Sequence, residues 1–218
     1  MRYGVWGFPV FKYAIDDPDT ALKEILTSIN KNTLRLTKGE WNADSQMFTT
    51  KDDHEMKYLN QQIQMYLRTM LSELTIPVED FTLNECGNSN CKDSCKDYWI
   101  NIYSKGQYQG EHWHMLEEDE IEAGVAHPMF SFTYFAKYDP EKDAKFVFVN
   151  PSPSGEIYGD WINTVPAFEP EFKPDIAQGD ILIFPSFLVH RVEEQAVDTS
   201  RITLSGNIYK TTNEKKCI

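Results

Sequence analysis

Three histidines in the second half of the chain have the spacing of metal ligands. His112 and His114 lie two residues apart, and alternate side chains of an extended strand point to one face, so both imidazoles can reach one ion while Trp113 points away. His190 follows much later, at the end of the segment Gly179–His190, where a returning antiparallel strand would bring it back to the first pair. The spacing therefore predicts a metal site formed by His112, His114 and His190.

A cation follows the third histidine within the length of one strand. Arg201 begins the alternating run Arg201–Tyr209, and one face of this run is polar along most of its length. The members of this face are Arg201, Thr203, Ser205, Asn207 and Tyr209. A polar face that begins with arginine suits the wall of a pocket. A guanidinium beside a metal site with three ligands also suits an anionic co-substrate.

Several stretches around these residues resemble the 2-oxoglutarate- and Fe(II)-dependent oxygenases, in particular those of phages and bacteria. The barrel of that family carries a His-x-Asp/Glu pair, a distal histidine and a basic residue one strand later. The matching stretches are Trp99–Tyr103, Gly106–Gln109, His112–His114, Ser131–Phe135, Gly179–His190 and Arg201–Thr203. They span roughly residues 98 to 209, about half of the chain, and Trp6–Phe11 is similar to the family's first strand.

The resemblance implies a double-stranded β-helix, which is a jelly-roll barrel of the cupin type, and an iron-dependent dioxygenase. The residues in the family's ligand positions are His112, His114 and His190. Those in or beside its co-substrate positions are Arg201, Thr203, Tyr103 and Asn101. With Fe(II) and O2, such an enzyme hydroxylates a substrate and decarboxylates the co-substrate 2-oxoglutarate to succinate. Tyr103 also has a simpler reading, as a side chain that fills the barrel interior.

The second ligand position departs from the family pattern. The usual site has two histidines and one carboxylate, but His114 stands at the position of the carboxylate. Three imidazoles also suit Zn, Cu and Ni. The loss of an anionic ligand makes the site more positive, which favours an anionic chelator such as 2-oxoglutarate. A shifted alignment of the acidic segment Glu117–Glu122 would make His127 the second ligand instead.

Two other functions stay open from the residues alone. One is a cupin-like enzyme with three histidines that does not use 2-oxoglutarate and has no need of Arg201. The other is a non-catalytic binding or structural module of a phage. Three further residues have plainer expected roles: Trp99 and Trp113 are expected to pack, and Asp180 to bond the backbone of a turn.

The composition limits the class of protein and its partners. The chain has 218 residues and a formal net charge of −13, which disfavours nucleic acid and anionic membranes as partners. We expect a single oxygenase domain over residues 1–218, with an N-terminal strand and helical support in 1–97 and the β-helix core in 98–210. No stretch resembles a signal peptide or a membrane span, so we expect a cytoplasmic protein, in the host cytoplasm if a phage encodes it. The prime substrate and a homodimer both stay open.

Two helices are predicted before the strands begin. Asp17-Pro18 is an N-cap and first-turn pair for a helix that runs to about Lys31. An apolar stripe over residues 59–74 predicts a second helix, with Asp52 or Asp53 as its cap. From Tyr98 onward the periodicity changes to two, and short alternating strands separated by turns favour a barrel or sandwich whose one face these helices support.

Four cysteines add one structural alternative. Cys86, Cys91, Cys95 and Cys217 are expected to be free thiols in a reducing compartment. The first three have a spacing that would allow a structural zinc site if a fourth ligand came from elsewhere, although it lacks the tight C-x2-C pair of common zinc sites.

Overall fold

The computed structural model describes residues 1–31, 35–36, 41–42, 44–48, 56–77, 81–83, 98–115, 128–150 and 169–210. Several predicted features lie outside these residues. They are His127, the acidic segment Glu117–Glu122, the four cysteines, and the cap candidates Asp52 and Asp53.

The described chain is mainly β, with two helices in its first half. The elements in chain order are β1 (Arg2–Val5), β2 (Phe8–Ala14), α1 (Pro18–Lys31), β3 (Arg35–Leu36), β4 (Trp41–Asn42), β5 (Asp44–Phe48), α2 (Lys57–Glu73), β6 (Phe81–Leu83), β7 (Tyr98–Tyr103), β8 (Tyr108–His112), β9 (Pro128–Lys137), β10 (Phe146–Val149), β11 (Glu171–Phe172), β12 (Asp180–Pro185), β13 (His190–Val192) and β14 (Arg201–Lys210). The predicted first helix and the alternating strands after Tyr98 are therefore confirmed.

The described strands form two antiparallel sheets. The larger sheet has nine strands in the order β1-β2-β12-β9-β14-β7-β5-β3, with β6 also paired to β14. The smaller sheet has the order β11-β10-β13-β8-β4. The N-terminal region, which the sequence assigned to one strand and helical support, thus supplies strands to both sheets. From β7 to β10 and again from β11 to β14, successive strands alternate between the two sheets, as in a jelly roll.

The central strands of the larger sheet bury a different set of side chains on each face. On β12, Ile181 and Ile183 belong to the core cluster that includes the helices, whereas Leu182 and Phe184 belong to the cluster between the sheets. Burial on both faces explains the continuous apolar run of this strand. On β14 the inner positions are polar instead, so the space between the sheets is part core and part pocket.

The two helices cover the outer face of the larger sheet, as predicted, but their caps differ in origin. Asp17 caps α1, because its Oδ1 accepts a hydrogen bond from the backbone N of Thr20 at 3.0 Å. The prediction of an aspartate cap for α2 is wrong. This helix begins at Lys57 after Met56, which makes no side-chain cap. The Glu24 carboxylate of α1 instead accepts from the free backbone N–H groups of residues 58 and 59, so a tertiary contact replaces the local cap.

The turn at Gly179, which precedes β12, packs against the start of α1. Gly179 has φ of 88°, and its backbone N donates to the carbonyl O of Phe135 while its own carbonyl accepts from Ile15 N. A Cβ at this position would lie 3.0 Å from the Cβ of Pro18, so both the backbone angle and the limited space favour glycine. Neither described helix has the length and apolarity that crossing a bilayer requires.

Candidate metal centre

The two sheets bring the three predicted histidines together. His112 ends β8 and His190 begins β13, and the two are direct cross-strand partners. His114 lies two residues beyond β8, where its backbone N donates to the carbonyl O of Ser186 at 2.9 Å. One ligand atom from each of the three imidazoles lies within 4.8 Å of the others. This geometry allows a single ion to contact all three.

A register shift aims the first pair of imidazoles. His190 pairs with His112, but Val192 pairs with Gln109, so β8 carries one residue more than β13 over this short distance. Such a bulge bends its strand and turns side chains towards a site. The ring centroids of His112 and His190, which are cross-strand partners, lie 4.2 Å apart.

Backbone carbonyls orient two of the imidazoles. His112 Nδ1 lies 2.8 Å from the carbonyl O of Gly110, and His190 Nδ1 lies 2.8 Å from that of Leu188. A carbonyl only accepts, so each Nδ1 carries the proton and each Nε2 keeps its lone pair. The same local motif, a bond to the residue two positions earlier, therefore prepares two Nε2 ligands.

Side chains orient the third imidazole. His114 Nδ1 lies 2.8 Å from Oδ1 of Asn207 and 2.7 Å from Oγ of Ser131. Its Nε2 is buried and has no hydrogen-bond partner among the described residues. A buried nitrogen without a hydrogen-bond partner lowers stability by about 1 to 3 kcal/mol. A metal ion held together with the two neighbouring imidazoles would give this nitrogen its partner.

Burial keeps two of the imidazoles neutral. Burial, with a smaller contribution from the nearby His112, lowers the pKa of His114 to about 3. It also holds the pKa of His190 well below its usual value of 6.5, with further lowering from His112 and His114. Neutral imidazole is the form that binds metals, so these nitrogens need not lose a proton at neutral pH.

A cavity lies between the sheets in front of the histidines. Its described lining residues are Trp99, Tyr103, Gln109, His112, His114, Thr133, Phe146, His190, Val192, Arg201, Thr203 and Ser205. The predicted residues Arg201, Thr203 and Tyr103 are thus beside the same cavity as the histidines. Asn101 is buried next to Thr203 on the neighbouring strand, but it is not among the described lining residues.

Arg201 is a buried cation without an anionic partner in the described chain. Its side chain has 0% exposure, and none of its three guanidinium nitrogens has a hydrogen-bond partner among the described residues. The guanidinium packs against the rings of Tyr103, Phe135 and Tyr138, with distances of 4.7, 5.5 and 5.7 Å to their centroids. Burial lowers the pKa of Arg201, but a guanidinium stays protonated in proteins. The residue therefore suits a carboxylate that enters the cavity.

Tyr103 packs its ring against the guanidinium of Arg201. Its ring lies under the guanidinium, and its hydroxyl donates to Oε1 of Gln109 at 2.9 Å. Burial raises the pKa of Tyr103 to about 12, against the opposing effect of the Arg201 charge, so the hydroxyl stays protonated. Gln109, which was not among the predicted site residues, is buried and lines the cavity three residues before His112.

The plainer predictions have mixed outcomes. Asp180 accepts a backbone hydrogen bond from Ala177 N at 2.8 Å, which confirms its role in the turn. The packing role of Trp113 is wrong, because 59% of this side chain is exposed. Trp99 lines the cavity, with its ring centroid 5.4 Å from that of His114.

The polar side chains that contact Nδ1 of His114 were not predicted from the sequence. Ser131 and Ser186 are buried and hydrogen-bonded to each other at 2.9 Å, and Ser131 donates to Asn207. The one sequence feature that pointed to Asn207 was its position on the polar face of the last strand. The imidazole that it contacts depends on how the strands pair, which the sequence does not show.

The donor set fits iron and 2-oxoglutarate. Three neutral imidazoles suit first-row ions including Fe(II), and they leave positions free for a chelating co-substrate. A guanidinium without a hydrogen-bond partner among the described residues lies along the same cavity. Together with the double-stranded β-helix, these features define the class of 2-oxoglutarate-dependent non-haem iron oxygenases.

Comparison with known proteins agrees with this class. Residues 97–207 match the model of the family described as "Putative 2OG-Fe(II) oxygenase", where 2OG denotes 2-oxoglutarate. The match covers half of the chain, and the chain belongs to this family of oxygenases. It is therefore an oxidoreductase that uses Fe(II), 2-oxoglutarate and O2. No curated protein compared with the chain matches it.

Solved structures share the fold over nearly the whole chain. A prolyl-4-hydroxylase from Pseudomonas putida has a TM-score of 0.61 at 11% identity, with 96% of each chain covered. The viral collagen prolyl hydroxylase of Paramecium bursaria Chlorella virus-1, in its 2OG complex, has a TM-score of 0.59 at 12% identity, covering 93% of this chain and 96% of that one. HygX from Streptomyces hygroscopicus, with nickel and 2-oxoglutarate bound, has a TM-score of 0.56 at 10% identity, covering 93% and 83%. At these identities the likeness shows the fold, and it confirms the predicted double-stranded β-helix.

Proposed function

We propose that the chain hydroxylates a C–H bond of an organic prime substrate, with His112, His114 and His190 holding Fe(II) through their Nε2 atoms. The carrying observation is the convergence of these atoms beside a buried guanidinium that has no partner in the described chain. Iron bound there supplies, with 2-oxoglutarate and O2, the decarboxylation of 2-oxoglutarate to succinate and the hydroxylation.

Arg201 binds the far carboxylate of 2-oxoglutarate in this proposal. Thr203, two residues along the same strand face, places a hydroxyl group beside it in the cavity wall. Tyr103 supports the guanidinium from behind, and a direct contact of Tyr103 or Asn101 with the co-substrate stays a prediction. The aromatic rings around Arg201 exclude water and so strengthen its attraction to a carboxylate.

The other side chains of the cavity hold and orient rather than transfer protons. No Asp, Glu, Lys or Cys is present among the described lining residues. The described wall therefore offers no carboxylate pair or thiolate for hydrolysis or nucleophilic catalysis, which argues for chemistry carried by the metal and co-substrates. A three-histidine enzyme without 2-oxoglutarate would leave Arg201 buried with no function in the cavity.

Turnover of 2-oxoglutarate in the absence of prime substrate tests the proposal. Purified protein loaded anaerobically with Fe(II) should hold one ion per chain and, on exposure to O2, should form succinate slowly. His190→Ala should remove both properties, because His190 is buried and its Nε2 is prepared as a ligand. Elemental analysis and NMR detection of succinate provide the measurements. Undiminished iron in His190→Ala would exclude the proposed ligand set.

A further inference from the structure

The second metal ligand is held differently from the other two. His112 and His190 rely on backbone carbonyls close to them in the chain, whereas His114 relies on Asn207 of β14 and Ser131 of β9. The backbone bonds persist in any sequence that folds this way. The orientation of His114 instead depends on which side chains occupy two neighbouring strands.

The hydrogen bonds behind His114 form one consistent chain. Ser186 lies 2.9 Å from Ser131, and Ser131 donates to Oδ1 of Asn207 at 2.8 Å. With the Ser131 proton committed to Asn207, the Nδ1 of His114 donates to the same amide oxygen. The proton is then on Nδ1, and the buried Nε2 presents a lone pair to the metal position.

The opposite proton arrangement has two costs. If Nε2 carried the proton, this buried N–H would have no acceptor among the described residues. The lone pair of Nδ1 would also face the amide oxygen of Asn207 at 2.8 Å, which is a contact between two acceptors. Only a rotation of the Asn207 amide could relieve that contact, because its NH2 group would then face Nδ1 and donate to it.

We propose that Asn207 is a positioning residue that fixes His114 as the Nδ1–H tautomer, and that this neutral acceptor allows a histidine to serve at the usual carboxylate position. The inference rests on the proposed function, because it concerns the same ligand set. Ser131 and Ser186 act behind Asn207 by holding its oxygen towards the imidazole.

The charge of the acceptor has a consequence for the co-substrate. A neutral amide leaves three neutral ligands, so the full charge of the metal attracts the anionic co-substrate. A carboxylate in place of the amide would make His114 a stronger electron donor, as in carboxylate–histidine–metal triads, and would lower the charge of the site by one. Metal affinity and 2-oxoglutarate affinity should therefore change in opposite directions.

Three variants separate these effects. Asn207→Ala removes the acceptor and should weaken Co(II) binding by about 10- to 100-fold, the usual cost of losing such a support. Asn207→Asp keeps an acceptor that cannot donate, so it should bind Co(II) at least as tightly as wild type and bind 2-oxoglutarate more weakly. Asn150→Ala is the matched control. The amide of Asn150 donates to the carbonyl O of Glu169, and Asn150 is not among the described lining residues of the cavity, so Co(II) affinity should not change.

The tautomer can be read without metal or turnover. The chain has five histidines, few enough for assignment of the ring nitrogens in a 15N-histidine NMR spectrum of the metal-free protein. His114 should show the Nδ1–H form in wild type and Asn207→Asp, and a tautomer mixture in Asn207→Ala. This measurement stays decisive if a variant is only slightly less stable. Ser131→Ala leaves the hydrogen bond between His114 and Asn207 in place, so it should change the tautomer population less than Asn207→Ala does.

The outcomes are distinct. A wild-type tautomer together with wild-type Co(II) affinity in Asn207→Ala would overturn the inference. Loss of metal in Asn207→Asp as severe as in Asn207→Ala would also overturn it, because the amide would then act as a donor. If wild type binds no metal, or if His190→Ala still binds it, the proposed function itself fails. If His190 is needed and Asn207 is not, only the positioning role fails.

Discussion

Replacement of Arg201 by methionine should affect stability and co-substrate binding in opposite ways. In the ligand-free protein the guanidinium is fully buried, without a hydrogen-bond partner in the described chain. Burial of a charge costs several kcal/mol, and its three aromatic contacts offset this by on the order of 1 to 2 kcal/mol each at most. A methionine is shorter than arginine, but it is unbranched and flexible and packs against aromatic rings without that penalty. Arg201→Met should therefore unfold at or above the wild-type temperature.

Binding of 2-oxoglutarate should show the reverse effect. A charge-assisted, bidentate pair with a buried carboxylate is worth roughly 2 to 4 kcal/mol when one partner is removed. At about 1.4 kcal/mol per tenfold, this corresponds to a loss of roughly 30- to 1000-fold in affinity. Arg201→Lys should restore affinity only in part, because a compact ammonium lacks the planar fork.

Thermal unfolding with and without 2-oxoglutarate measures both effects in one assay. At about 100 times its Kd the co-substrate adds about 2.7 kcal/mol to wild type. For a chain of this size that raises Tm by roughly 5 to 10 °C, at about 2 to 4 °C per kcal/mol. The order of stability should thus invert when 2-oxoglutarate is added to the anaerobic Fe(II) protein. Charge-transfer absorbance gives the affinities independently. Equal stabilisation of wild type and Arg201→Met by 2-oxoglutarate would refute the assignment of Arg201.

Three further predictions concern the ligand set, the fold and pH. His114→Ala should lower the amount of bound Fe(II), whereas His127→Ala should leave it unchanged; the reverse result in elemental analysis would make His127 the second ligand. Gly179→Ala should reduce the free energy of unfolding by roughly 1 to 3 kcal/mol, because φ is 88° and the new Cβ would lie 3.0 Å from that of Pro18, and an unchanged urea midpoint would contradict this. Burial keeps the pKa of His114 and His190 low in the folded protein, so below about pH 6.5 only the unfolded state gains their protons and stability falls. Each histidine should cost the metal-free protein about 1.4 kcal/mol between about pH 7.5 and about pH 5.5, and His190→Asn should show a shallower decline in urea titrations.

The site residues could be predicted from the sequence because their spacing follows the two-residue period of a β-strand. Alternation put His112 and His114 on one side of an extended segment, and it put Arg201, Thr203 and Asn207 on one face of the last strand. Both placements hold in the structure. Side-chain direction along one strand is a local property, so it needs no knowledge of the neighbouring strands.

Tertiary structure decided the partners of these side chains. The cap of α2 comes from Glu24 on the other helix, and the sequence near Lys57 contains no pattern that predicts it. The acceptor for His114 comes from Asn207, far along the chain, and the support of Arg201 comes from the rings of Tyr103, Phe135 and Tyr138. Such contacts join strands that are distant in sequence.

The sequence alone therefore determined which residues could bind a metal and an anion, because residue type and alternation are written into each strand. The tertiary structure decided which nitrogen of each imidazole is left for the metal, and it buried a guanidinium that has no hydrogen-bond partner in the described part of the chain. Both depend on the order of strands in two facing sheets. That order results from packing two apolar faces together, and hydrogen-bond partners follow from it.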